Sequence, residues 1–143
     1  MASASELPRL RQTVLDAPDP RRLGDFYREL LGFRYRPGDE PAAEDADPDW
    51  LVLVDDAAVP RLAFQRAPGM PAPAWPTGSP PQMLHLDMTV DDVAALHRQR
   101  ARAERLGARV LDDRSDDERE PLFVLADPAG HPFCVFVAAP AAG

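Results

Sequence analysis

The chain contains the same pattern twice, and this internal repeat constrains its fold more than any other feature of the sequence. In each copy a short apolar segment leads to an aspartate, and a helical pattern follows that ends in Leu-Gly. Gln12 stands seven residues before Asp19, and His85 stands seven residues before Asp92. Such self-similarity predicts that one supersecondary unit is used twice. It places Gln12 and His85 at equivalent points of two strands, where they meet at one cavity if the halves pack face to face.

The helices of the two copies are the most strongly marked elements. In the first copy Asp19 is the expected N-cap and Gly32 is the expected left-handed C-cap. In the second copy Asp91 or Asp92 caps a helix that continues to Leu106. The first helix also has an apolar stripe at helical spacing, which predicts a core-facing surface. The stripe consists of Leu23, Phe26, Tyr27, Leu30 and Leu31.

The other apolar segments are predicted strands, so that each copy has the order strand, helix, strand, strand, strand. Between the copies, residues 67–82 hold six prolines and two glycines, a density that excludes regular structure and predicts a linker. We expect the strands at residues 10–15, 33–36, 50–54, 61–65, 83–89, 108–111, 122–126 and 132–138.

Composition narrows the class of protein and its partners. The hydrophobic fraction of 45% and the charged fraction of 28% are typical of a soluble globular domain. The net charge of −8 argues against nucleic acid and anionic membranes as partners, since both require a cationic surface. No apolar segment reaches the roughly 20 residues of a membrane span, and the N-terminus lacks the apolar region of a secretory signal. With the lone Cys134, these features predict a cytoplasmic protein.

Several phrases of the sequence resemble one superfamily when they are taken in order. They are Asp25-Phe26-Tyr27 followed by Leu30-Leu31-Gly32-Phe33, then Leu106-Gly107-Ala108, then Asp127-Pro-Ala-Gly130-His131-Pro-Phe133. This combination resembles the vicinal oxygen chelate superfamily, which includes glyoxalase I, bleomycin-resistance proteins and extradiol dioxygenases. Trp75-Pro76 leading to His85-Leu86-Asp87 is similar to its compact glyoxalase-like bacterial branch.

The resemblance implies an α+β fold in which two βαβββ units form a pair of half-barrels. It covers nearly the whole chain, as a single glyoxalase-like domain at residues 9–138. The domain is expected to consist of a first unit at 10–66, the linker at 67–82 and a second unit at 83–138. Small members of the superfamily typically complete their sites by pairing, so that a homodimer is also implied.

In that superfamily four inward side chains can bind a divalent metal, one from the first strand and one from the last strand of each unit. The first-strand positions fall on Gln12 and His85. The last-strand position of the second unit lies seven residues after the hairpin aspartate, which gives Cys134. The same count from Asp56 in the first unit gives Ala63, with Gln65 as the alternative.

This set departs from the pattern of the family's enzymes, because no carboxylate occupies either last-strand position. A hard cation such as Mg²⁺ requires oxygen ligands. Zinc or nickel would accept His85 and a Cys134 thiolate, but Ala63 offers no donor atom and Gln12 is a weak ligand. We therefore expect no metal cofactor, and a divalent metal at Gln12 and His85 is the less favoured alternative.

The leading hypothesis is a glyoxalase/bleomycin-resistance-like protein that binds or transforms a small organic molecule in a hydrophobic cavity. Two alternatives remain open at this stage. One is a metal-dependent lyase, isomerase or dioxygenase, and the other is a non-catalytic sequestering protein that confers resistance. No residue is assigned a catalytic role. The residues expected to line the cavity are Gln12, Gln65, Trp75, His85 and Cys134.

Some of these residues also have a purely structural interpretation. Cys134 is either a small buried side chain or a thiolate activated by His85. Trp75 either contacts the ligand or seals the seam between units or chains. His131 is expected to serve a turn, and Tyr27 is expected to lie in the core.

Overall fold

The two copies of the repeat form two βαβββ units in the computed structural model, which describes residues 6–42 and 47–138. The predicted α+β fold class is therefore confirmed. Unit 1 consists of β1 (Thr13–Ala17), α1 (Pro20–Leu31), β2 (Arg34–Tyr35), β3 (Trp50–Val54) and β4 (Pro60–Arg66). Unit 2 consists of β5 (Leu86–Val90), α2 (Val93–Leu106), β6 (Arg109–Arg114), β7 (Leu122–Ala126) and β8 (Pro132–Val137).

Both helices begin and end at the predicted caps. The side chain of Asp19 accepts a hydrogen bond from the backbone N–H of Arg22 at 3.1 Å, and that of Asp92 accepts one from Ala95 at 2.7 Å. Each helix ends at a glycine whose φ is positive, a conformation that residues with a Cβ rarely adopt. No helix in the described part of the chain has both the length and the apolar character needed to span a membrane.

The strands differ from the prediction mainly at their ends. β1 and β5 each begin three residues later than expected, at residues 13 and 86, so that Gln12 and His85 lie directly before their strands. β6 continues to Arg114, into the charged segment predicted as a loop, because a register irregularity between Val110 and Asp112 allows it to keep pairing with β7. Residues 67–82 contain no helix or strand, only an isolated bridge between Ala74 and Pro81.

The two sheets have the same topology. Their strand orders are β1-β4-β3-β2 and β5-β8-β7-β6, so that the first strand of each unit is an edge strand. In each sheet the first strand runs parallel to the last, and the other neighbours are antiparallel. The helix of each unit provides the crossover between the first strand and the rest of the sheet.

The units are joined through one shared hydrophobic core that includes residues of both helices. Tyr27 of α1 lies at the centre of this junction, with its ring centroid 6.0 Å from that of Phe64 in β4 and 6.1 Å from that of Phe133 in β8. The predicted core role of Tyr27 is thus confirmed. The Tyr27 hydroxyl donates a 2.7 Å hydrogen bond to Asp127 of unit 2.

Each sheet therefore turns one face toward the shared core. We call the opposite face the outer face. Alternation along the strands assigns it, because Leu15 and Ala17 of β1 are buried in the core whereas Val14 and Asp16 are exposed. The halves pack through their core faces. On the outer face of unit 1, Val52, Val54 and Ala63 form a second, smaller buried cluster, whereas Val14 and Trp50 on the same face are exposed.

Candidate functional site

The outer face of unit 1 has an apolar floor with polar and aromatic neighbours. Val14, Ala63 and Val52 pair across β1, β4 and β3, and the last two are buried. The next row contains Gln65, which pairs with Trp50 on β3. Trp50 is 39% exposed and Val14 is 38% exposed, although both are large apolar side chains. An outer sheet face of this kind is more apolar than a solvated face usually is.

Gln12 adds an available hydrogen-bond acceptor at the start of this face. Its side-chain oxygen Oε1 is buried and accepts no hydrogen bond from the described residues. Buried polar atoms in folded proteins nearly always have a partner, so that an unpaired one calls for an explanation. A rotation of the Gln12 side chain would expose Oε1, and a ligand or water molecule would then supply the missing hydrogen bond.

The outer face of unit 2 carries polar groups where unit 1 has hydrocarbon. Asp87 of β5 pairs with Cys134 of β8, and His85 lies on the same side of the chain two residues before Asp87. His85 Nε2 is 3.2 Å from Asp87 Oδ1. One donor atom from each of the three residues lies within 4.8 Å of the others.

The environment of Cys134 favours the protonated thiol. Burial raises the pKa of the thiol, and the nearby Asp87 carboxylate raises it further. A thiol whose pKa is raised is a poor nucleophile near neutral pH, because the thiolate is the reactive form. The surroundings of Cys134 therefore give no support to a catalytic thiolate in the metal-free protein.

The hairpin before the last strand corrects one step of the sequence comparison. Asp127 Oδ1 accepts hydrogen bonds from the backbone N–H groups two and four residues further on, at 2.9 and 3.0 Å. Asp55 Oδ1 accepts the equivalent pair of bonds at the same two distances. The hairpin aspartate of unit 1 is therefore Asp55, whereas the sequence count began at Asp56.

Counting seven residues from Asp56 nevertheless leads to Ala63, the position equivalent to Cys134. A register shift near the end of β3 places one additional residue in β4, which compensates for the different starting aspartate. Ala63 pairs with Val14 in unit 1 just as Cys134 pairs with Asp87 in unit 2. Ala63, and not Gln65, is therefore the structural equivalent of Cys134.

Of the five residues predicted to line a cavity, the structure brings His85 and Cys134 together on unit 2. Gln65 lies on the outer face of unit 1, and Gln12 lies at the start of that unit's edge strand. Trp75 lies half-buried in the linker. The five residues as a common lining remain a prediction, because they are distributed over two sheets and a connecting segment.

Asp87 is the residue that the sequence prediction missed. It belongs to the phrase that carries the resemblance, but it occupies none of the four positions that the resemblance assigns to metal ligands. The signal lies in the spacing, since residues i and i+2 of a strand lie on the same face and His85 is itself a candidate ligand. The predicted turn role of His131 is confirmed, because its backbone N–H donates to Asp127 Oδ1 at 3.0 Å and its carbonyl oxygen accepts from the Asp127 N–H at 2.9 Å. Its Nε2–H also donates to the carbonyl oxygen of Asp16 in unit 1 at 2.6 Å.

A cleft of about 610 Å³ lies at the far edge of the first sheet, but its polar groups already have partners. Arg28 forms an ion pair with Glu29, and Tyr35 donates its hydroxyl to Asp25. A guanidinium N–H of Arg34 donates to a backbone carbonyl of the β3–β4 turn. With these groups satisfied within the protein, the cleft offers little specific recognition to a ligand, and we assign it no role.

A smaller cleft of about 220 Å³ lies between the starts of the two edge strands. Val14 of β1 lines it together with Met83 and Leu84, which precede β5. Met83 is 90% exposed and Leu84 is 53% exposed. We call Val14, Met83 and Leu84 the edge patch. The edge patch joins the two units in an exposed apolar surface beside the two edge strands β1 and β5.

Comparison with known proteins agrees with this fold. The family model described as Glyoxalase-like domain matches residues 12–136. A comparison with curated proteins gave no match. Among solved structures, a glyoxalase/bleomycin resistance protein/dioxygenase family enzyme from Burkholderia phytofirmans PsJN is 16% identical, with 90% of this chain and 98% of that chain covered and a TM-score of 0.66.

Two further similar structures are named for antibiotics. A genomically encoded fosfomycin resistance protein, FosX, from Listeria monocytogenes is 10% identical over 93% of this chain and 95% of its own, with a TM-score of 0.65. TnmS3, an antibiotic binding protein from Streptomyces sp. CB03234, is 21% identical over 94% of this chain and 98% of its own, with a TM-score of 0.55. At these identities the likeness establishes a shared fold.

Proposed function

Because the chain belongs to the family of Glyoxalase-like domains, we propose that it binds a small organic molecule on the outer faces of its sheets, in a pocket completed by a second copy of the chain. Exposed apolar side chains beside hydrogen-bonding groups support this role most directly. Trp50 and Val14 are exposed on the same outer face as Gln65. Ligand pockets characteristically combine an apolar lining with a few polar groups that orient the ligand.

The outer faces suit a ligand with an apolar body and several polar substituents. The exposed side chain of Val14 offers hydrocarbon, and Trp50 offers an aromatic surface for stacking. The amide groups of Gln12 and Gln65 both donate and accept hydrogen bonds. Such a ligand has the chemical character of many antibiotics, and two proteins with a similar fold are named for antibiotic binding or resistance.

The edge patch supports pairing with a second copy. It is exposed and apolar, and it lies at the starts of β1 and β5, which are edge strands of their sheets. Contiguous apolar surface on a small domain is typical of an interaction site. A symmetric dimer that buries the edge patch would add the partner's side chains to the walls of the pocket.

The four family positions for a divalent metal do not fit an ion shared between the two units. Ala63 is fully buried and has no donor atom, and Gln12 offers only a neutral amide oxygen. For this reason the proposed function is binding, and no reaction step is assigned to a metal at these positions. The raised pKa of the Cys134 thiol likewise supports binding over nucleophilic catalysis.

Tryptophan fluorescence of the full-length protein tests this function. Titration with fosfomycin and with bleomycin should give a saturable change in emission for at least one of them, and Trp50→Phe should reduce the signal. Gln65→Leu should raise the Kd about tenfold, which corresponds to the loss of a hydrogen bond worth about 1.4 kcal/mol.

The matched control is Gln99→Leu, the same substitution on α2, which should leave the Kd unchanged. Binding that is insensitive to both Gln65→Leu and Trp50→Phe would locate the ligand elsewhere on the protein. The proposed function would be wrong if neither these two compounds nor a wider antibiotic panel changed the emission or the melting temperature.

A further inference from the structure

Three side chains on the outer face of unit 2 offer three different kinds of metal ligand at one point. They are the imidazole of His85, the carboxylate of Asp87 and the thiol of Cys134, with one donor atom of each within 4.8 Å of the others. Imidazole nitrogen, carboxylate oxygen and thiolate sulfur are the ligands that zinc accepts in proteins. The spacing of the three atoms allows one ion to contact all of them after small side-chain rotations.

The backbone holds this arrangement through regular pairing. His85 and Asp87 are two residues apart, the separation that places side chains on the same face of an extended chain. Cys134 is the register partner of Asp87 in the parallel pair of β5 and β8. Strand register thus positions Asp87 and Cys134, and His85 directly precedes β5. Donors held by strands are more rigid than donors carried by loops, and rigidity favours binding because less ordering is required.

We propose that His85, Asp87 and Cys134 form a binding site for a divalent metal ion of the zinc class, held by unit 2 alone. The set supplies three protein ligands and leaves a fourth tetrahedral position open, as in zinc sites that also bind water or a substrate. A sulfur and a nitrogen donor select against Mg²⁺ and Ca²⁺, which require oxygen ligands.

This site differs from the arrangement that the family resemblance implied, in which both units contribute ligands. The equivalents of His85, Asp87 and Cys134 in unit 1 are Gln12, Val14 and Ala63. Two of these are hydrocarbon side chains, so that unit 1 cannot form a matching site. Asp87 supplies the carboxylate that the last-strand positions lack, and one ion per chain is expected.

The surroundings allow an ion to enter and a ligand to reach it. The side chains of His85 and Asp87 are 45% and 57% exposed, and Cys134 is partly buried. An ion held there would present its open position to the outer face, where an oxygen of the bound organic molecule can coordinate. This last step rests on the proposed function, whereas metal binding does not.

Cobalt titration of the untagged, chelator-stripped, full-length protein tests the site. One equivalent of Co²⁺ per chain should produce a thiolate-to-cobalt charge-transfer band in the near ultraviolet, and Zn²⁺ should abolish it by displacement. Cys134→Ser should remove the band. Asp87→Asn should weaken Zn²⁺ affinity about 100-fold, because the loss of a direct ligand costs at least as much as the loss of its supporting partners.

Gln12→Ala is the matched control, since it alters the family's first-strand position in the other unit. Unchanged Zn²⁺ affinity in Gln12→Ala supports a site within unit 2. A Gln12→Ala loss as large as that of Asp87→Asn would overturn the proposal in favour of a site spanning both units. Absence of the charge-transfer band, or an Asp87→Asn affinity equal to that of the parent, would also overturn it. Far-ultraviolet circular dichroism confirms that each variant is folded.

Discussion

The outer faces of the two units share a backbone but differ in chemistry. In unit 1 the paired residues Val14 and Ala63 are hydrocarbon, whereas the equivalent pair in unit 2 is Asp87 and Cys134. The core-facing residues of the same strands remain apolar in both units. Because side chains alternate along a strand, one face can change its chemistry while the other keeps the core intact. One unit thus presents an apolar surface and the other presents polar ligands.

The hairpins of the two units show the same divergence. Asp55 and Asp127 each accept two backbone hydrogen bonds in the same geometry. The remaining oxygen of Asp55 pairs with Arg61 at 2.8 Å near the surface, and that of Asp127 accepts from the buried Tyr27 hydroxyl. Local sequence determines the turn, and the tertiary partner determines the electrostatics.

The largest expected effect is on the dissociation constant of the proposed dimer, in which the outer faces of two chains come together. Leu84→Arg should raise the dimer Kd about 100-fold or more, because burial of a leucine contributes about 1.5–3 kcal/mol and a symmetric interface contains the residue twice. Sedimentation equilibrium measures the dissociation constant directly. The control is Val93→Arg at the start of α2, where the parent side chain is 42% exposed, compared with 53% for Leu84. An unchanged Kd in Leu84→Arg would exclude the edge patch from the interface.

The second largest expected effect is the loss of stability when the hydrogen bond between Tyr27 and Asp127, which joins the two units, is removed. Tyr27→Phe should lower the free energy of unfolding by about 1–3 kcal/mol, because it leaves a buried oxygen of Asp127 without its donor. Urea denaturation measures the change. Tyr35→Phe removes a hydroxyl that donates to the partly exposed Asp25 and should cost about 1 kcal/mol or less. Equal losses in the two variants would contradict the special position of Tyr27.

The smallest expected effect is the pH dependence of stability that each hairpin aspartate contributes. The backbone hydrogen bond from Val59 and the hydrogen bond from Arg61 lower the pKa of Asp55, so that its contribution to stability is present above the ordinary value of 3.8 and is lost as pH falls through the folded pKa. Asp55→Asn should therefore be less stable than the parent at neutral pH, and this difference should disappear in acid.

The pKa of Asp127 is shifted in the opposite direction to that of Asp55. Burial raises its pKa, so that the charged carboxylate weakens the fold at neutral pH and protonation strengthens it as pH falls through the folded pKa. Asp127→Asn should be at least as stable as the parent at neutral pH and should lose that advantage in acid. Urea denaturation at neutral pH and below the ordinary Asp value of 3.8 measures both trends. The same pH trend in both Asn variants would show that the hairpins do not differ electrostatically.

The features that depend on local chemistry could be predicted from the sequence. The capping residues Asp19 and Asp92 and the stripe that contains Tyr27 specified both helices, because these signals act within a few residues. The repeat also gave the equivalence of Gln12 and His85. The resemblance then supplied the sheet architecture, which periodicity alone did not determine.

Features that depend on distant pairing could not be read in this way. The donor set on unit 2 requires Asp87 to stand opposite Cys134, and nothing in either strand specifies that register. The register shift in β3 also lies outside any local pattern, which is why the count began at Asp56 instead of Asp55. The bond between Tyr27 and Asp127 joins residues 100 positions apart in the sequence.

The segment between the units has a thermodynamic consequence. Residues 67–82 contain no helix or strand, and this Pro-rich segment links the two units covalently. The covalent link keeps the second unit close to the first at every protein concentration. Association of the two core faces is therefore intramolecular and does not depend on protein concentration. In a homodimer of single units, every surface residue occurs twice. In this chain the two units are covalently joined and differ in sequence, so that each unit can carry its own surface chemistry.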